Sequence, residues 1–158
     1  MKFKFRENIG RTLLIFLIFL TVTFIFVQSI LSKQASTEQS EAVSGWLSLI
    51  VPTTTPLGAF INENIRKIAH FVEFGALGGE LCIYALVYCT DKRRSYFITQ
   101  LAVFFVAFFD ETLQIFSGRG PSVADVWLDF SGSVTVSLIF VTVYLIFKKV
   151  KEGSVPRG

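Results

Sequence analysis

IAHFVEFGALGGELCIYALVYC, residues 68–89, decides the fold. At about 1.5 Å per residue it is long enough to cross roughly 30 Å of hydrocarbon. It is apolar apart from His70, Glu73 and Glu80. Three further runs share this character. Thr12–Leu31 is nearly free of polar residues, Tyr96–Phe116 reads as apolar until Asp110, and Val126–Phe147 is apolar after Asp129. These runs predict an all-α integral membrane protein, a compact bundle of four transmembrane helices. The chain is 52% hydrophobic with 18 Phe and a mean hydropathy of +0.58. A soluble domain would carry more charge and shorter apolar runs.

The net charge of +3 invites a nucleic-acid reading, but the placement of the basic residues argues against it. Lys2, Lys4, Arg6 and Arg11 precede the first span, Lys92, Arg93 and Arg94 join the second to the third, and Lys148, Lys149, Lys151 and Arg157 follow the fourth. The alternate connections hold only Lys33, Arg66, Lys67 and Arg119, so 11 of the 15 Lys/Arg fall on one side. By the positive-inside rule both termini are expected in the cytoplasm. The first span is read as a retained helix: its apolar core exceeds the about 7–15 residues of a signal peptide, and no A-x-A site is clear. Cys82 and Cys89, on one helix, cannot pair with each other and read as packing residues.

The expected organisation is a cytoplasmic tail and first helix over 1–31, an extracytoplasmic loop over 32–64, a three-helix core over 65–147 and a basic cytoplasmic tail over 148–158. Ser32–Ser44 is rich in Ser, Gln and Glu and reads as a flexible or loosely helical stretch. Gly45–Phe60, broken by Pro52 and Pro56, cannot span; it reads as an interfacial or re-entrant segment, or as a loop packed on the bundle. Gly118-Arg119-Gly120-Pro121 reads as a tight outer turn. Gly75 and Gly79 in span two, and Gly132, Ser133 and Ser137 in span four, offer small faces for close helix approach.

Six of the twelve carboxylates lie inside these spans or at their start: Glu73, Glu80, Asp110, Glu111, Asp125 and Asp129, with the single histidine, His70, among them. A charge at the bilayer centre costs about 2.5–3.5 kcal/mol on insertion scales, so such residues face a protein interior or a wet cavity. With both termini inside, His70, Glu73, Asp110, Glu111, Gln114, Arg119, Asp125 and Asp129 all fall at the outer end of the bundle. At 100° per residue His70, Glu73 and Glu80 share an arc of roughly 80°. Gln114 shares a face with Asp110 and Glu111, and Asp125 shares one with Asp129 and Gly132. Each helix thus turns a polar stripe toward an expected common cleft.

These residues also carry a resemblance. Arg66-Lys67-Ile68-Ala69-His70-Phe71-Val72-Glu73-Phe74 with Leu77-Gly78, then Asp110-Glu111-x-x-Gln114, Gly118-Arg119, Asp125 and Asp129-x-x-Gly132, resemble in order and spacing the motifs of the VanZ-like family, over roughly Ile65 to Val136. Glu80 lies outside those motifs, and Val136 stands where a second small residue often follows Gly132. The resemblance implies a small multi-pass bacterial membrane protein, from a family whose name-giving member is associated with glycopeptide (teicoplanin-type) resistance.

His70, Glu73, Glu111 and Asp129 are the candidate catalytic groups, and Arg119, Gln114, Asp110 and Asp125 the candidate ligand-binding ones. His70 and Glu73, one turn apart, suit proton transfer or, with Asp129, a metal ion, although the same pair serves equally as a hydrogen-bonded packing element. No cofactor other than such an ion is expected. Arg119 suits a phosphate or carboxylate in bidentate fashion, against an internal ion pair to Asp125, Asp129 or Glu111. Ser122-x-x-Asp125 fits a helix N-terminal box, an alternative role for Asp125. Glu80, near the midplane with no cation at its depth, is expected to be protonated or to hydrogen-bond to Ser133, Thr135 or Ser137.

Three functions follow as expectations. The first is a cell-membrane protein with an outward polar cleft that engages an envelope lipid, a cell-wall precursor or an amphiphilic antibiotic. The second is a membrane-embedded enzyme working on a lipid-linked precursor by His/carboxylate or metal chemistry. The third is a small transporter, disfavoured because the polar groups cluster at one depth. Membrane lipids are expected partners and nucleic acid is not.

Overall fold

The computed structural model describes residues 2–153, with side chains from Asn8 to Glu152; the basic side chains of Lys2, Lys4, Arg6 and Arg157 lie outside the described ones. The described chain is helical throughout: α1 (Lys2–Ile30), α2 (Lys33–Ser48), α3 (Pro56–Tyr88), α4 (Lys92–Phe116) and α5 (Val123–Gly153). Four of these are long and apolar enough to cross a membrane, over Asn8–Ile30, Pro56–Tyr88, Lys92–Phe116 and Val123–Glu152. The exposed Phe16, Phe19, Phe105, Phe108 and Leu138 lie on these spans. Apolar surface on this scale belongs against lipid.

Local chemistry sets the boundaries. The Ser32 side chain accepts from Ala35 N and opens α2, and the Asp91 carboxylate accepts from Arg94 N and opens α4. The Thr55 hydroxyl accepts from Gly58 N at 3.0 Å just before Pro56, where a missing N–H costs nothing. Of the two forms expected for Ser32–Ser44 the helical one is present, as the greater part of α2 with Ser32 as its cap. In Gly45–Phe60 the start closes α2, the end opens α3, and only residues 49–55 lie between. The second span is also longer than residues 68–89, because the polar turns around Glu63, Arg66 and Lys67 continue the same helix.

Consecutive spans run antiparallel. At one end Arg11 of α1 donates to the Tyr84 hydroxyl of α3 at 2.7 and 3.1 Å, and Lys92 lies 5.8 Å from the Tyr144 ring of α5. That end gathers the basic loops. The opposite end gathers the C-termini of α1 and α4 and the N-terminal part of α5.

α3 is the central helix and packs against every other one, most extensively α5. The small faces meet as expected. A methyl added at Gly78 would strike Ser133, one at Gly75 would meet Val136, and one at Gly132 would strike the Phe71 carbonyl. The apolar core is Ile25, Phe74, Leu77, Val103, Ala107 and Val126. A polar seam runs beside it. Ser137 Oγ donates to the Gly78 carbonyl at 3.0 Å, Gln100 Nε2 donates to Ser137 Oγ at 2.9 Å, and Ser133 Oγ donates to Gln100 Oε1 at 3.2 Å. Gln100 stands inside a stretch that reads as apolar up to Asp110, and its burial beside Ser133 and Ser137 shows why it is tolerated there. Those serines therefore do not serve Glu80. The donor to Glu80 is Thr21 Oγ1 of α1, at 2.9 Å.

Candidate functional site

Four spans deliver polar side chains to the end of the bundle opposite the basic loops. Asp110, on the last turns of α4, is fully buried. It accepts from Ser29 Oγ of α1 on Oδ1 and from Gln114 Nε2 on Oδ2 at 3.1 Å. His70 Nδ1 of α3 lies 3.7 Å from Asp110 Oδ2 and 3.8 Å from Asp129 Oδ2 of α5. Asp129 is 1% exposed. The structure thus brings His70, Asp110 and Asp129 into one group, which periodicity had spread over three helices.

Glu111 and Asp110, adjacent in sequence, take different tasks because their side chains leave the helix about 100° apart. Glu111 Oε2 accepts from the Ser122 backbone N–H at 2.8 Å and Oε1 accepts from Gln114 Nε2 at 2.7 Å. The Ser122 carbonyl in turn accepts from the N–H groups of Asp125 and Val126. The first turn of α5 is therefore closed by a carboxylate from α4, where Asp125 is the expected partner by spacing. Asp125 instead lines the cleft.

Arg119 is directed by its backbone. Gly118 is the sole positive-φ glycine among the described residues, at φ +72°. The N–H groups of Gly118 and Arg119 return to the carbonyls of Ile115 and Gln114 at 3.3 and 3.1 Å, the paired bonds of a Schellman ending. This turn sends Arg119 back into the bundle, where it is 6% exposed. Its Nη2 donates to the carbonyls of Gln28 and Ser29 at 2.8 and 2.6 Å, its Nη1 to Ser36 Oγ at 3.4 Å and its Nε to Ser117 Oγ at 3.1 Å. The expected ion pair to Glu111, Asp125 or Asp129 is absent among the described residues. The guanidinium closes the C-terminus of α1, whose last carbonyls have no partner within their own helix. Burial, and then the nearby Arg66, lower its pKa from the ordinary value while Asp110 and Glu111 oppose this; the group stays protonated at physiological pH.

Arg119→Lys is accordingly expected to lower the melting temperature of the detergent-solubilised protein by several degrees. A point ammonium cannot reach two carbonyls and two hydroxyls at once, and each charged hydrogen bond contributes about 1.5–3 kcal/mol. A variant that melts with the wild type would show that the cap is unnecessary.

Two cavities flank this group. One, about 260 Å³, is lined by Lys33, Arg66, Lys67, His70, Glu111, Arg119, Asp125 and Asp129, among others. The second, about 420 Å³, runs between α1, α2 and α3 past Phe24, Val43, Ile65, Ala69 and Glu73. They share Arg66, His70 and Arg119. Glu73 thus falls on the second cavity, outside the His70 group, with its Oε2 buried and unpartnered. Arg66 Nη2 donates to Gln114 Oε1 at 3.1 Å.

Ser29 and Ser36 escaped sequence reasoning. Their only signal is a hydroxyl at the end of an apolar span and one in a polar stretch, neither of which names a partner. Lys33, Arg66 and Lys67 were legible only as topology markers or motif members.

The family model for VanZ/LLP1 matches residues 13–147, a longer stretch than the motifs alone span. No curated protein and no solved structure matches. With four apolar spans and a family match over most of its length, this chain is a multi-pass membrane protein that belongs to the VanZ/LLP1 family.

Proposed function

We propose that the cleft receives an amphiphile with an anionic headgroup, such as an envelope lipid, a lipid-linked cell-wall precursor or an amphiphilic antibiotic, on the extracytoplasmic side of the membrane. The single observation that supports this best is the pairing of the two cavities. A polar one, lined by Lys33, Arg66 and Lys67 together with Glu63 and Asp125, shares lining residues with a larger one where Phe24, Val43 and Ile65 stand beside Gln39 and Ser40. The first suits phosphate oxygens and the second the adjoining apolar chain. The excess of basic residues at the far end supports the outward orientation. Engagement of such a molecule is a route by which a member of this family influences susceptibility to glycopeptide-type antibiotics.

A second reading, catalysis on the same ligand, is favoured by one feature: His70 stands between two buried carboxylates and lines both cavities, suited to moving a proton or holding an ion beside a headgroup.

Binding of a polyprenyl phosphate to the full-length protein in detergent, read by native mass spectrometry against the uncharged polyprenol, tests the proposal. The phosphate is expected to bind at least about tenfold more tightly, the equivalent of one charge-assisted contact, and Arg66→Ala is expected to remove most of that preference. Equal binding of phosphate and alcohol would sink it. Conversion of a polyprenyl diphosphate to the monophosphate, lost in His70→Ala, would move the function to the enzyme.

A further inference from the structure

The floor of the cleft is short of hydrogen-bond partners. Asp129 is 99% buried, yet neither of its carboxylate oxygens has one, and His70 Nδ1 has none either. The donor atoms of His70, Asp110 and Asp129 all lie within 4.8 Å of one another. The separations from His70 Nδ1, 3.7 Å to Asp110 and 3.8 Å to Asp129, are too long for hydrogen bonds. They are a few tenths of an ångström wider than the roughly 3.0–3.5 Å between donors that surround one ion at about 2.1 Å. A bound ion would have to draw the three donors, now within 4.8 Å of one another, together by about that much.

The surroundings point the same way. Ser29 and Gln114 hydrogen-bond the two oxygens of Asp110 and hold it in place, as outer partners do for a ligating carboxylate. Two buried carboxylates need neutralising, and among the described residues no Lys or Arg forms an ion pair with either: Arg119 donates to the α1 carbonyls and Arg66 to Gln114. A single divalent ion would supply both missing charges and partners for the unsatisfied atoms.

We infer that His70, Asp110 and Asp129 form a binding site for a divalent first-row transition-metal ion. One imidazole and two carboxylates make a mixed nitrogen and oxygen set, which suits Zn²⁺, Mn²⁺ or Fe²⁺ better than Ca²⁺ or Mg²⁺ with their all-oxygen shells. Three protein donors leave at least one position open. Because His70 and Asp129 line the polar cavity, that position opens onto it, where an anionic oxygen completes the shell. Glu73 stays outside the group. The site stands independently of the headgroup reading, since the ion needs no lipid to bind.

The test titrates the full-length protein, tag-free, chelator-stripped and in detergent, with Mn²⁺ alone or Zn²⁺ alone, in phosphate-free buffer without added lipid. Calorimetry and elemental analysis are expected to give about one equivalent per chain. Asp129→Asn and His70→Ala are expected to lower the affinity by about 10–100-fold, while Glu80→Gln, bonded to Thr21 away from the group, keeps it. A variant that misfolds does not remove the test, because Mn²⁺ bound to the wild type must show ¹⁴N coupling to His70 in its pulsed electron paramagnetic resonance spectrum. Binding no greater than the detergent blank, binding retained in Asp129→Asn, or bound Mn²⁺ without nitrogen coupling would each overturn the inference.

Discussion

Gly132→Ala is expected to unseat α5 from α3. The added methyl would run into the carbonyl of Phe71, a backbone atom that cannot rotate away. Ordinary overpacking costs about 1–3 kcal/mol, and a clash with backbone sits at or above the top of that range. For a chain of this size the melting temperature in detergent should fall by roughly 5–10 °C. The same change at Gly45 gives the matched comparison. Gly45 lies within α2 and a methyl there meets nothing, so Gly45→Ala should hold or slightly raise stability, by up to about 1 kcal/mol from helix propensity. Equal shifts in the two variants would mean that the α3–α5 approach is looser than the structure has it. Because α5 carries Asp129, Gly132→Ala should also weaken ligand binding.

The two buried aspartates should respond in opposite ways. In chelator-treated protein, Asp110→Ala leaves the Ser29 hydroxyl and one Gln114 contact without an acceptor, and a stranded buried polar group costs about 1–3 kcal/mol. Asp129 has no hydrogen bond to lose, so Asp129→Asn should melt at or above the metal-free wild type. The order reverses once metal is added, because the wild type gains the free energy of binding and Asp129→Asn gains little. Thermal melts of the three proteins with and without Zn²⁺ check this. An Asp129→Asn variant as destabilised as Asp110→Ala in the metal-free state would show that the floor is held by hydrogen bonds instead.

The difference between these two residues also marks how far the sequence could be read. Both stand out as acids in apolar helices, and the cost of charge in lipid is enough to send both inward. Their partners are another matter. Asp110 and Glu111 are neighbours in the chain, yet one turns to Ser29 and His70 and the other to the Ser122 N–H. Helical spacing shows that they diverge and does not say toward what. Asp125 fits the spacing of a capping box, but the box is completed from α4, because the loop after Gly118 is short enough to bring Ser122 back over Glu111. By sequence Arg119 is expected to meet an anion, a ligand's or a carboxylate of the bundle. It closes the end of α1 instead, where the Gln28 and Ser29 carbonyls, without partners in their own helix, accept from the guanidinium that the Gly118 turn sends to them.

By itself the sequence determined the four spans, their alternation, the family and the end of the bundle where the polar groups collect. The spans, their alternation and that end follow from length, composition and charge placement, and the family from its motifs, all of which are legible segment by segment. Only the tertiary structure decided which polar groups meet: the His70, Asp110 and Asp129 group, the Glu111 closure of α5 and the Arg119 closure of α1. Those pairings depend on the relative rotation and depth of α1, α3, α4 and α5. For α3 and α5 that placement comes from how closely Gly75, Gly78 and Gly132 let the two backbones approach, a property of a pair of helices that no single segment carries.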